Sequence, residues 1–171
     1  MRFHITVLAL GMAGVLGMSQ AAAQTCRNDI KATAPDSRFT DNGNGTVTDR
    51  ATGLIWKQCA EGLSGAGCAT GTPVTFSWQQ ALQQAADAVF AGSTLWRLPN
   101  KNELASLIER RCYDPAINAR FFPNTPVGSY RSSSPSAYSG AAWYVDFDYG
   151  GVHDSFHKVV AGYVRLVRGG H

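Results

Sequence analysis

The sequence predicts an α+β domain: two helices packed on short antiparallel strands, held by two disulfides. Three observations predict it. Two segments, 77–90 and 100–111, each open on a capping residue with Gln or Glu three positions later and continue with apolar residues at helical spacing. Short alternating or apolar runs, bounded by Asn-Gly and Gly-Gly, recur and lie mostly late in the chain. Four cysteines, Cys26, Cys59, Cys68 and Cys112, form an even set.

The chain of 171 residues opens with a targeting pattern. Arg2 and His4 precede an uncharged run from Ile5 to Met18, and Ala21-Ala22-Ala23 supplies small residues for cleavage. The run falls short of the roughly 20 apolar residues a bilayer span needs. Residues 1–23 therefore read as a signal peptide, and the exported remainder of about 150 residues has the size of one domain. No later segment is long and apolar enough to span a membrane. Residues 24–37 form a polar arm without periodicity, interrupted by Pro35.

From Arg38 to Trp56, the pair Asn42-Gly43 and Asn44-Gly45 predicts a hairpin turn. Leu54-Ile55-Trp56 then predicts a buried strand. Cys59 to Pro73 reads as loop. Ser77 with Gln80 is a capping box, and Trp78, Leu82, Ala85, Ala86 and Val89 form the apolar face of a helix ending near Phe90. Leu95 to Pro99 is extended, because a residue before proline avoids the helical region. Asn100 with Glu103 caps a second helix, whose buried stripe is Leu104, Leu107 and Ile108. Arg110 and Arg111 fall in its last turn, where positive charge suits the helix dipole.

Tyr113 to Ser139 reads as a long Pro-, Asn- and Ser-rich loop with at most one short strand near Tyr130. In Ala142 to Tyr149, alternation places Trp143, Val145, Phe147 and Tyr149 on one face. Gly150-Gly151 turns the chain, Val152 to Val159 pairs back, and Tyr163 to Arg168 is a final strand.

Four cysteines allow three pairings. Cys59 and Cys68 enclose AEGLSGAG, a Gly-rich loop that a local bridge would hold. The complementary pair, Cys26 with Cys112, would tie the arm to the end of the second helix. This is the expected scheme, and export supplies the oxidising compartment it requires. Zinc is not expected, because no closely spaced pair such as C-x-x-C occurs.

The formal net charge of +3 is mild and gives no reason to expect a nucleic-acid partner. Its distribution is uneven. Arg97, Lys101, Arg110, Arg111, Arg120 and Arg131 face only Glu103, Glu109 and Asp114 within 96–131. Arg97, Lys101, Arg110, Arg111 and Arg131, joined by Lys158, are the candidate ligand-binding residues, since guanidinium forks suit sulfates and carboxylates. Ordinary solvated charge fits the same pattern. Asp41, Asn44 and Asp49 have the flavour of a calcium loop, but Thr52 stands where a closing Glu would be needed, so a tight turn is the expected reading. Asp146, Asp148 and Asp154 read as a solvated strand face. His153 and His157 have the spacing of a helical zinc pair in a segment that reads as strand. No catalytic residue, metal or cofactor is expected.

Several segments together resemble the Lcl C-terminal domain family. They are FTDNGNGTVTDRATGLIW (39–56), WRLPNKNELASLIE (96–109), SSSP (132–135), AWYVDFDY (142–149) and YVRLVR (163–168). The resemblance assigns 38–171 to one such domain and implies a C-type lectin-like fold, shared with formylglycine-generating-enzyme-like domains. It also implies a binding role, since the family includes the C-terminal domain of a collagen-like adhesin that binds sulfated glycosaminoglycans. Arg131 departs from the aromatic residue found in many relatives. The expected function is thus an exported, non-catalytic binding domain for a polyanionic glycan or cell-surface ligand. An envelope protein-interaction module is the alternative, and periplasm or medium is its expected location. N-terminal sequencing of the exported protein should read Gln-Thr-Cys-Arg from Gln24; an intact Met1 or a start beyond Cys26 would refute the cleavage site.

Overall fold

A computed structural model describes residues 24–169. The expected signal peptide, 1–23, lies outside the described residues. The first part of the chain carries β1 (Thr25–Cys26), β2 (Phe39–Asp41), β3 (Thr46–Asp49) and β4 (Ile55–Lys57). The disulfide loop adds β5 (Leu63–Ser64) and β6 (Thr70–Gly71), followed by β7 (Thr75–Phe76), α1 (Trp78–Ala86) and α2 (Lys101–Ala105). The last part carries β8 (Cys112–Tyr113), β9 (Ser129–Pro135), β10 (Ala141–Asp146), β11 (Gly151–His157), β12 (Gly162–Tyr163) and β13 (Val167–Arg168). The result is an α+β domain with two principal sheets, ordered β11-β10-β9-β12-β7 and β13-β4-β3-β2.

The β2–β3 hairpin forms where the two Asn-Gly pairs predict it. Gly43 and Gly45 take φ of 72° and 78°, values that favour glycine. The side chains nearby serve the turn itself: Asp41 accepts from the Gly43 N–H, and Asn44 accepts from the Thr46 N–H and hydroxyl. Behind the hairpin, the buried Asp49 carboxylate holds Arg38 and accepts from the Ala51 N–H and Thr52 hydroxyl.

Both helices start at the expected caps and both stop early. Ser77 and Gln80 close a reciprocal capping box on α1, and Asn100 and Glu103 do so on α2. α1 ends at Ala86 rather than near Phe90, because Asp87 caps it and Phe90 pairs with Ser93 in a small turn. Its buried residues are Ala81 and Ala85, while Val89 is 75% exposed. α2 spans five residues, so Arg110 and Arg111 do not lie in its last turn. Leu107, Ile108 and Glu109 are all buried. Three consecutive residues cannot share one helical face, so the chain must leave the helix to bury them. The Glu109 carboxylate accepts from the Thr33, Ala34 and Arg111 N–H groups and thereby binds the N-terminal arm.

The arm is therefore structured. β1 pairs with β8, and Gln24 donates its side-chain amide to the Pro115 and Ile117 carbonyls at 2.6 Å each. The bridges join Cys26 to Cys112, 86 positions apart, and Cys59 to Cys68, 9 apart. Cys112 belongs to β8 rather than to the end of a helix.

The expected long loop holds the longest internal strand. β9 lies at the centre of its sheet, and its serines fit because neighbours approach closely. Ser132 Oγ donates to the Trp143 carbonyl, the Trp78 indole donates to the Ser132 carbonyl, and Lys101 N–H donates to Ser134 Oγ. In β10 a register shift between Ala142 and Tyr144 breaks simple alternation. Val145 and Phe147 are buried, Trp143 is half-buried, and Tyr149 stands 71% exposed. The expected final strand divides: β12 joins the five-stranded sheet, and β13 joins the other.

One core centres on Phe39, Val47, Trp56, Leu104, Phe122, Tyr130 and Phe147. A smaller one joins α1 to Trp96, Leu98, Val164 and Leu166. Replacing Cys26 and Cys112 together by Ser should cost about 4–5 kcal/mol from loop-closure entropy, measured by denaturant unfolding under non-reducing conditions. Asp49 gives a second test. Burial raises its carboxyl, but bonds from Arg38, Thr52 and Ala51 outweigh this and hold it below its ordinary value of 3.8. Its stabilisation is thus complete above that value and is lost as pH falls through the lower folded one. Asp49→Asn should destabilise by about 3 kcal/mol at neutral pH and remove part of the acid dependence of unfolding.

Candidate functional site

The five candidate cations separate into three environments. Arg97 and Lys101 flank the start of α2. Arg97 is fixed by two backbone bonds with Val167, and its guanidinium clamps Glu103 through two 2.7 Å bonds. Hydrogen bonding to Arg97 holds the Glu103 carboxyl below its ordinary value and, in return, raises Arg97. Its charge is largely neutralised. Lys101 differs: its ammonium lies 3.5 Å from the centroid of the Trp143 ring and has no carboxylate partner among the described residues.

Arg110 and Arg111 sit beyond α2, beside the arm. Arg110 is exposed. Arg111 Nε lies 3.9 Å from Glu109, whose oxygens already accept three backbone N–H groups. Arg120 is near, paired with Asp36.

Arg131 is a correction. It is fully buried and cannot meet a surface ligand. Its guanidinium donates to the Phe156, His157 and Val160 carbonyls and lies 3.8 Å from the Phe156 ring centroid. Loss of solvent pulls its pKa down to about 10. Arg131 is thus an internal prop for the 156–160 turn.

Cation–ring pairs mark the surface that sequence reasoning missed. Lys158 lies 4.5 Å from the Trp78 ring and Arg168 5.6 Å from the Trp96 ring. With Lys101 on Trp143, three of the four tryptophans carry a cation; Trp78 and Trp143 are half-buried, whereas Trp96, 4% exposed, and Trp56 belong to the core. Each pair joins distant positions, so no local spacing reveals it. Trp78 and Trp143 are both fixed through Ser132, and the Trp96 indole donates to the Phe90 carbonyl. Between α1 and the Trp96–Asn100 segment runs a shallow groove of about 510 Å³. Leu82, Ala85 and Leu98 line it with Arg97, Asn100 and Ser133.

The acidic and histidine candidates are placed differently. Asp148 lies in the turn after β10 rather than on its face, and its N–H donates to Asp146. A hydrogen bond with Asp114 and the charges of Asp114 and Asp146 push the Asp148 carboxyl up to about 6. His153 packs against the Tyr144 ring at 5.1 Å, on β11. Among the described residues no three His, Cys, Asp or Glu side chains are grouped to hold a metal ion.

No curated protein matches the chain in sequence. The family model described as the Lcl C-terminal domain matches residues 45–168, which include α1, α2, the three cation–tryptophan pairs and the groove. The chain belongs to the Lcl C-terminal domain family.

Proposed function

We propose that this protein is an exported, non-catalytic binding domain of C-type lectin-like fold that recognises a polyanionic, sulfated glycan. One observation carries the reading: Lys101 and Lys158 are held over the half-buried rings of Trp143 and Trp78 without carboxylate partners among the described residues. A ring quadrupole orients a cation yet leaves its charge uncancelled. Such a cation remains able to meet a sulfate, while the adjacent indole offers an apolar surface to the C–H face of a sugar. The exposed Arg110 adds a guanidinium with no carboxylate partner among the described residues.

Two disulfides fit an oxidising compartment, periplasm or medium, and no described helix is long and apolar enough to cross a membrane. Both bridges occupy all four cysteines, leaving no thiol for the copper chemistry of formylglycine-generating enzymes.

An envelope protein-interaction module is the second reading. Val89 and Leu95, 75% and 74% exposed, flank the Phe90–Ser93 turn and give it an apolar foothold.

Heparin affinity chromatography decides between them. The protein should elute at higher salt than an unrelated protein of equal net charge, and Lys101→Ala and Lys158→Ala should each elute earlier, because salt screens such contacts. Elution with the control, together with stoichiometric recovery of one envelope protein, would replace the glycan reading by the second.

A further inference from the structure

A separate cavity lies between the β2–β3 turn and the Cys59–Cys68 loop. Its inner lobe, about 220 Å³, is lined by Gly45, Lys57, Cys59, Leu63, Gly65 and Phe90. It shares Gly45, Gly65 and Phe90 with an outer lobe of about 670 Å³ that carries Asp41, Asn44 and Gln58. The combined space falls in the range of small-molecule sites.

The inner lobe is apolar, and its chemistry favours a flat ring. Phe90 supplies an aromatic wall. Lys57 Nζ stands 4.9 Å from the Phe90 centroid, restrained 2.7 Å from Glu61, so a cation also faces the space. Cys59 contributes a disulfide sulfur, which packs well at ring edges. Two walls are bare backbone. A Cβ on Gly45 would approach the Phe90 ring to 2.8 Å, and one on Gly65 would meet Thr70 Oγ at 2.8 Å. Both glycines also have positive φ, 78° and 74°. A side chain at either would be strained, and at Gly45 it would also crowd the Phe90 ring.

The outer lobe is polar and has spare capacity. Asp41 uses Oδ1 on the Gly43 N–H and Asn44 uses Oδ1 on Thr46, which leaves Asp41 Oδ2 and the Asn44 amide nitrogen. Gln58 bonds through its backbone to Gly45, and its side-chain amide makes no hydrogen bond among the described residues. We infer that this cavity is a binding site for a small aromatic molecule, its ring in the inner lobe and an amide- or hydroxyl-bearing tail against Gln58 and Asp41.

Saturation-transfer NMR on the folded protein tests this with phenylacetamide and 4-hydroxyphenylacetamide, and with glucose as a comparator. Ring protons of both amides should receive saturation while glucose does not. Phe90→Ala should weaken binding by about tenfold, the loss expected for one apolar wall. Ser64→Phe, at an exposed position lining the inner lobe, should abolish the signal with melting temperature and heparin retention unchanged. No transfer to either amide, equal transfer to glucose, or a signal that survives Ser64→Phe would overturn the inference. Heparin retention does not depend on this cavity, so the two readings fail separately.

Discussion

A buried guanidinium lies where the two sheets meet. Val164-Arg165-Leu166 carries the chain from β12 in one sheet to β13 in the other, and all three residues are buried. Arg165 donates to the Lys57 and Gln58 carbonyls and to Thr125 Oγ, which itself donates to the Phe122 carbonyl. Its carbon centre stands 4.9 Å from the Phe122 ring centroid. Burial lowers its pKa. At this crossing the flanking bonds from Glu61 N–H to Val164 and from Lys57 N–H to Leu166 replace a regular ladder. Arg165 then fills the acceptors that the irregular backbone leaves inside. The exit of β4, the loop before β9 and the sheet crossing are tied to one side chain.

Arg131 uses the same device on the 156–160 turn. Both arginines are single cations among mixed neighbours in the sequence, and nothing local separates a buried arginine from a surface one. Arg165 gives a faint signal, since Val164 through Val167 reads as a continuous apolar run around it. Arg131 stands between Tyr130 and Ser132 and gives none.

What the sequence made legible was local. The β2–β3 turn and both N-caps depend on residues within four positions, and each appears where expected. Helix ends were not legible, because tertiary contacts set them: Glu109 leaves the helix to reach Thr33 and Ala34, some 75 positions away. The serines of β9 lack strand propensity, and their strand exists because Pro99, Trp78 and Trp143 bond to it. The candidate surface followed the same division. A basic middle segment was visible, but the cation–tryptophan pairs join residues such as 78 and 158 that only the fold brings together.

The placement of the two bridges bears on how the chain matures. Along the chain the cysteines follow in the order Cys26, Cys59, Cys68, Cys112, yet the first is joined to the last. Pairing in sequence order would couple Cys26 to Cys59 and leave Cys68 with Cys112, a non-native scheme. The native scheme requires Cys26 to stay reduced, or to be reshuffled, until β8 has paired with β1. Correct oxidation is therefore a late event, governed by the completion of the arm's docking rather than by the order of synthesis.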